Sequence, residues 1–202
     1  MRRSKFDLMV DRGKRMERTL SSAWLVLPSA HRALLEAIDA DQWTVVDEPL
    51  GKAAAEFLAS ANVGMLGRAE RGRLDDAIGV WIAQLRLVIV NEAHPSLVGL
   101  DVVSREAFIA RVAWHEWGHA LSVVRCSPED VAQGSRLLEL APVGVRETIR
   151  AAGYRRRDHT HEVVAEVYAM LMARRLRRVQ GQPPWLHNEI YSLLTRVIGD
   201  LD

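Results

Sequence analysis

The chain has 202 residues, 49% of them hydrophobic and 26% charged, and a formal net charge of +1. This is the composition of a globular protein, and the length suits a single domain over residues 1–202 with a sizeable core. The near-neutral balance gives no global field for nucleic acid or a membrane surface, and one cysteine, Cys126, excludes an internal disulfide and argues against a cysteine-built zinc site.

The first twenty residues are charged and lack apolar periodicity, which suggests a flexible basic arm or a surface helix. The apolar stretch within them, Leu8-Met9-Val10, is far short of the roughly 7–15 residues of an export signal, and no run approaches the roughly 18 residues of a membrane span. The cytoplasm is therefore the expected location, with signal-independent secretion as the other route. Ser29 is placed to cap a helix through Ala40 with Leu34, Leu35 and Ile38 on its inner face. Trp43–Asp47 reads as a strand, Lys52–Ala61 as a helix ending near Gly64, and Gly67–Asp76 as a polar loop. Ile78–Ile82 and Leu85–Val90 carry the strongest β signal, as a tight hairpin or one long bent strand. From Ser104 onward the pattern is helical. Ser104 is placed to cap a helix to Arg125, and Ser127-Pro128-Glu129-Asp130 starts another. Helices follow over Val143–Ala152, from around Asp158–Thr160 to Val179 with closure at Gly181, and after Pro184 as far as Ile198. The outcome is an α+β fold: a short mixed or antiparallel sheet early and a helix-rich C-terminal half.

The helix from Ser104 carries His115-Glu116-Trp117-Gly118-His119. At about 100° per residue, histidines four apart project from one face, one turn apart, and both can reach one ion. Glu116 points to the same side, where it can act as general base on a metal-activated water and then pass the proton to a leaving amine. A shuffled chain of this composition would contain the pattern only about 0.016 times. One zinc ion per chain is the expected cofactor, and zinc-dependent hydrolysis of a protein or peptide the expected chemistry.

A catalytic zinc takes three protein ligands and water, so a third ligand must lie elsewhere. Position 123 is Val and position 125 is Arg, which excludes a histidine four or six residues beyond His119. Downstream, Glu162 and Glu166 lie one turn apart beside a strip of small residues, Ala165, Ala169 and Ala173, that lets two helices approach closely. Two carboxylates on a packed face are costly unless they bind a cation or accept hydrogen bonds. A zinc ligand and a carboxylate supporting a ligating histidine would satisfy both, and His161 and His159 are rival third ligands.

On His115, Glu116, His119 and the downstream Glu162-x-x-Ala165-Glu166, the chain resembles the zincin metallopeptidases of the glutamate-ligand branch, the gluzincins, and within them the lethal-factor-like catalytic domains. The resemblance covers these two segments, and the first 75 residues lie outside it. It implies that Glu162 is the zinc ligand and that Glu166 supports a ligating histidine. It also implies an edge strand that binds substrate backbone, for which Gly79–Ala83 is the candidate. Zincins often place a tyrosine or histidine near the scissile carbonyl; Tyr154 is the candidate here, with Tyr168 and His161 as alternatives.

Trp114 and Trp117 flank the ligands and are expected to exclude water, with substrate contact as another role for Trp117. Cys126 reads as a buried small residue, and His31, His94 and His187 as structural or surface residues. Arg155-Arg156-Arg157 and Arg174, Arg175, Arg177 and Arg178 read as solvated surface; no recognised nucleic-acid motif accompanies them, so neither nucleic acid nor membrane is an expected partner. A regulatory protein is a further expected partner. The competing functional reading is a metal-binding regulatory protein without proteolytic activity.

Overall fold

The computed structural model describes residues 5–176 and 182–199. The start of the expected basic arm, the expected continuation of a helix to Val179 and Gly181, and Arg177 and Arg178 lie outside the described residues. The chain divides into two compact units. One holds the stretch up to Leu25 together with Asp41–Ala113, the other Val26–Ala40 together with the chain from Trp114 onward.

The first unit contains α1 (Lys5–Val26, its last residue aside), β1 (Gln42–Val46), α3 (Leu50–Ser60), α4 (Arg68–Asp75), β2 (Gly79–Ile82), β3 (Leu87–Asn91) and the first half of α5 (Val102–Arg125). The basic arm is a helix from Lys5 onward, and Met16, Leu20 and Ala23 show why: they form a buried stripe at helical spacing. The sheet has order β1-β3-β2. β1 runs parallel to β3 with Trp43 opposite Val88, and β2 runs antiparallel to β3 with Val80 opposite Ile89. Of the two readings of the β region, the hairpin is the one formed, turning through Ala83–Arg86 with Arg86 in the left-handed region at φ 50°. β3 is central and buried along Val88–Asn91, matching its unbroken apolar run, whereas β2 lies at a sheet edge. Leu50, Ala54 and Leu58, one helical face of α3, pack with Ile82 and Ile89.

The expected loop over Gly67–Asp76 is instead α4. Its only large apolar residue, Leu74, packs against that core, and the Gly67 N–H donates to Glu70 Oε2 at 3.1 Å. A short polar helix held by one anchor and one cap shows no apolar period in the sequence.

The second unit contains α2 (Ser29–Ala37), the second half of α5, α6 (Pro128–Ala132), α7 (Gly134–Leu140), α8 (Val143–Ala151), α9 (His159–Leu176) and α10 (Asn188–Ile198). α9 is its centre: Val163, Val164, Ala165, Val167, Tyr168, Ala169 and Met172 are all buried, a helix apolar nearly all round. Pro28, not Ser29, holds the N-cap position of α2, and α2 ends at Ala37, ahead of a left-handed Asp39. Asp101, not Ser104, caps α5: its Oδ1 accepts from the N–H groups of Val103 and Ser104 at 2.9 and 3.0 Å, while Ser104 Oγ donates to Oδ2. The Ser127 start forms as the sequence indicates, with a reciprocal cap between Ser127 and Asp130. The result is α+β, with a small mixed sheet early and helices later. Among the described residues, no helix is long and apolar enough to cross a membrane.

Candidate metal centre

The helical period of α5 turns His115 and His119 to one side, where their Nε2 atoms lie 3.0 Å apart with the rings edge to face. α9 brings Glu162 to the same point. Its Oε1 is 3.6 Å from His119 Nε2 and its Oε2 is 3.9 Å from His115 Nε2. Among the described residues these three form one group whose donor atoms all lie within 4.8 Å of one another. Glu166, one turn further along α9, places Oε1 3.4 Å from His115 Nδ1, the nitrogen facing away from the cluster.

The donor set fits a zinc ion. Ligands about 2.0–2.2 Å from a tetrahedral ion lie about 3.3–3.6 Å from each other, the scale of the 3.0 Å between the two Nε2 atoms and the 3.6 and 3.9 Å from them to the two Glu162 oxygens. Two imidazoles and one carboxylate are the ligand types of a hydrolytic zinc site, and a carboxylate on the outer nitrogen of a ligating histidine fixes its tautomer and raises its basicity.

The two helices meet so closely because residue 118 has no side chain. A Cβ there would lie 2.8 Å from Ala165 Cα and 3.2 Å from Tyr168 Cδ1. Gly118 is buried mid-helix, where glycine costs about 1 kcal/mol relative to alanine, so its place is explained by this approach. Sequence reasoning assigned Gly118 no role; a glycine inside a long helix was the signal that could have found it. Ser122 was also missed. Its Oγ donates to the His119 carbonyl at 3.1 Å and is 3.2 Å from His161 Nδ1.

The electrostatics of the cluster are those of an anion-rich pocket. Burial lowers the basicity of His119, but the hydrogen bond and charge of Glu162, with the charges of Glu116 and Glu166, outweigh it and raise the pKa. Tyr154 keeps its proton well above the usual phenol range. Burial of its hydroxyl is the largest cause, followed by the charges of Glu162, Glu116 and Glu166 and a hydrogen bond donated to Glu162. Three carboxylates therefore gather round two imidazoles. Glu116 is only 7% exposed and Glu162 only 6%, and a divalent cation bound there would offset the cost of burying them together.

The rival ligands point elsewhere. His161 Nδ1 faces Ser122 at 3.2 Å, and burial and the neighbouring His119 lower its pKa; His159 Nε2 faces the Tyr154 carbonyl at 3.2 Å. Neither joins the donor group. Tyr168 is fully buried with its hydroxyl 3.2 Å from His31 Nδ1, which removes it as a substrate contact. Trp117 is removed for the same reason, being two residues from His115 and so on the opposite side of the helix. His94 and His187 accept backbone N–H groups from Ser96 and Glu189, as turn and helix caps. Cys126 is half-buried, and burial, with the charge of Asp130, pushes its pKa up to about 11, so it is a poor nucleophile. Arg155, Arg156 and Arg157 are exposed, and Arg174 and Arg175 are half-buried. No family model, curated protein or solved structure compared with this chain matches it, so the chemistry of the site is the basis for assigning a function.

Proposed function

We propose that this protein is a zinc-dependent metallopeptidase, with His115, His119 and Glu162 as the metal ligands. The convergence of two Nε2 atoms and one carboxylate, beside a buried glutamate that follows the first histidine, carries the reading. Zinc bound there would supply Lewis acidity and a water that ionises near neutral pH. Glu116 takes a proton from the attacking water and returns it to the leaving amine; its position next to His115 on α5 and its burial support that role. Glu166 orients His115 through Nδ1. Tyr154 remains a hydrogen-bond donor and is assigned to the carbonyl oxygen of the substrate. The lone cysteine and the intermixed surface charge favour the cytoplasm, with a protein or peptide substrate.

The test compares new protein amino termini in cells expressing the wild type and Glu116→Gln, with the zinc content of both purified proteins. Stoichiometric zinc in both and new termini only with the wild type is the expected result. Cleavage by Glu116→Gln, or a wild type without stoichiometric metal, overturns the proposal. A zinc-loaded protein whose cellular role survives Glu116→Gln would be the metal-binding regulator instead.

A further inference from the structure

The segment between α8 and α9 leads into the metal centre past a set of exposed cations. Arg155, Arg156 and Arg157 directly precede α9, whose first turn carries Glu162. Consecutive Cα atoms are about 3.8 Å apart, so Arg157, five positions before Glu162, starts within about 19 Å of it along the chain, and closer where α9 is wound. Their backbone is held. Arg156–Asp158 forms a 3-10 turn, closed by the Asp158 N–H donating to the Arg155 carbonyl at 2.8 Å. Thr160 Oγ1 ties the start of α9 to the Asp130 carbonyl at 2.9 Å, and Gly134 of α7 lies so close beneath that an added Cβ would be 3.0 Å from the Arg156 carbonyl oxygen.

The side chains, by contrast, are uncommitted. Elsewhere in this unit Arg136 pairs with Glu189, Arg150 with Glu139 and Arg196 with Asp130. Among the described residues, Arg155 and Arg156 have no ion-pair partner, and Arg157 has only its neighbour Asp158 at 3.6 Å, with 72% of its side chain exposed. A fixed turn presenting free guanidinium groups is pre-organised for carboxylates, which Arg recognises through two parallel N–H donors.

We propose that Arg155–Arg157 recognise acidic side chains of the substrate, so that the preferred peptide carries Asp or Glu within about four residues of the bond cut, the reach of an extended chain at about 3.3–3.6 Å per residue. The inference rests on reading the centre as a peptidase. The local charge balance agrees with it. The Glu116, Glu162 and Glu166 carboxylates repel an acidic substrate, a divalent cation offsets most of that charge, and the arginines supply attraction at the rim.

The test uses the zinc-loaded full chain and two fluorescein-labelled peptides that differ only in carrying three Asp or three Asn residues on one flank of a central bond, each made with the flank on either side. Binding is read by anisotropy and cleavage by mass spectrometry, in the wild type and in the Arg155→Gln/Arg156→Gln/Arg157→Gln variant, with zinc content and melting temperature as folding controls. The expected result is about tenfold tighter binding and higher kcat/KM for the Asp peptide, a preference that shrinks with added salt and falls toward unity in the variant. Cleavage of both peptides with equal affinity and rate overturns the inference and leaves the peptidase reading standing. An Asp preference that survives in the variant also overturns it. Selective binding of the Asp peptide with no cleavage of any peptide overturns the peptidase reading and keeps the recognition site. A mixed-sequence DNA duplex that displaces the Asp peptide at lower concentration than the peptide itself assigns the arginines to nucleic acid and overturns the inference.

Discussion

Gly118→Ala puts the helix contact behind the metal centre to a quantitative test. The added methyl would lie 2.8 Å from Ala165 Cα and 3.2 Å from Tyr168 Cδ1, whereas carbon atoms prefer about 3.5–4.0 Å. Relief requires α9 to retreat from α5 by about 1 Å. The overpacking costs about 1–3 kcal/mol, and alanine's helix preference returns about 1, so the net loss of stability is about 0–2 kcal/mol. The metal site feels more. A retreat of that size takes Glu162 Oε1, now 3.6 Å from His119 Nε2, beyond the roughly 3.3–3.6 Å that donors on one tetrahedral zinc require. Zinc affinity should fall at least about 10–100-fold, the scale on which loss of a single supporting group acts. Competition with a chromophoric chelator measures it, and melting curves with and without chelator separate lost metal from lost packing. Gly72→Ala in α4, where an added Cβ meets nothing within 4 Å, is the control and should stabilise by about 0.5–1 kcal/mol. Adding Ala165→Gly to Gly118→Ala should not rescue binding, because the closest contact is to backbone. A Gly118→Ala protein that binds zinc as tightly as the wild type would refute the reasoning.

Glu162→Gln should weaken zinc far more than Glu166→Gln, which should cost about 10–100-fold, in the same chelator competition; equal losses would remove the distinction between ligand and support. Stability should depend on Asp130 at low pH. Burial raises its pKa, but the hydrogen bonds with Ser127 and the charge of Arg196 together hold it below the ordinary value of 3.8. A carboxyl depressed on folding contributes fully above its unfolded pKa and loses that contribution as pH falls through the folded one. In urea titrations the wild type should therefore exceed Asp130→Asn in stability at pH 6, and the gap should narrow as the pH falls below the ordinary value of 3.8.

Much of the architecture was legible because local rules coincide with the tertiary ones. β3 is an unbroken apolar run and became the buried central strand, and Ser127-Pro128-Glu129-Asp130 became a helix start. α4 was not legible, because one leucine and one cap, from the Gly67 N–H to Glu70, hold it and neither makes a period. The cap of α5 was misplaced by three residues because Asp101 and Ser104 are both cap-forming and bond to each other.

The same division runs through the candidate site. The sequence by itself determined that His115, Glu116 and His119 share a helix and that the two histidines face one way, since that follows from 3.6 residues per turn. It determined equally that Glu162 and Glu166 share a face of another helix. Which of Glu162, His161 and His159 reaches the histidines was decided only by how α9 docks on α5. That docking depends on a non-local contact, Gly118 against Ala165; the spacing shows the small-residue strip that includes Ala165 but not the glycine it meets. It turns Glu162 into the donor group, sends His161 to Ser122, and leaves Glu166 on the outer nitrogen of His115.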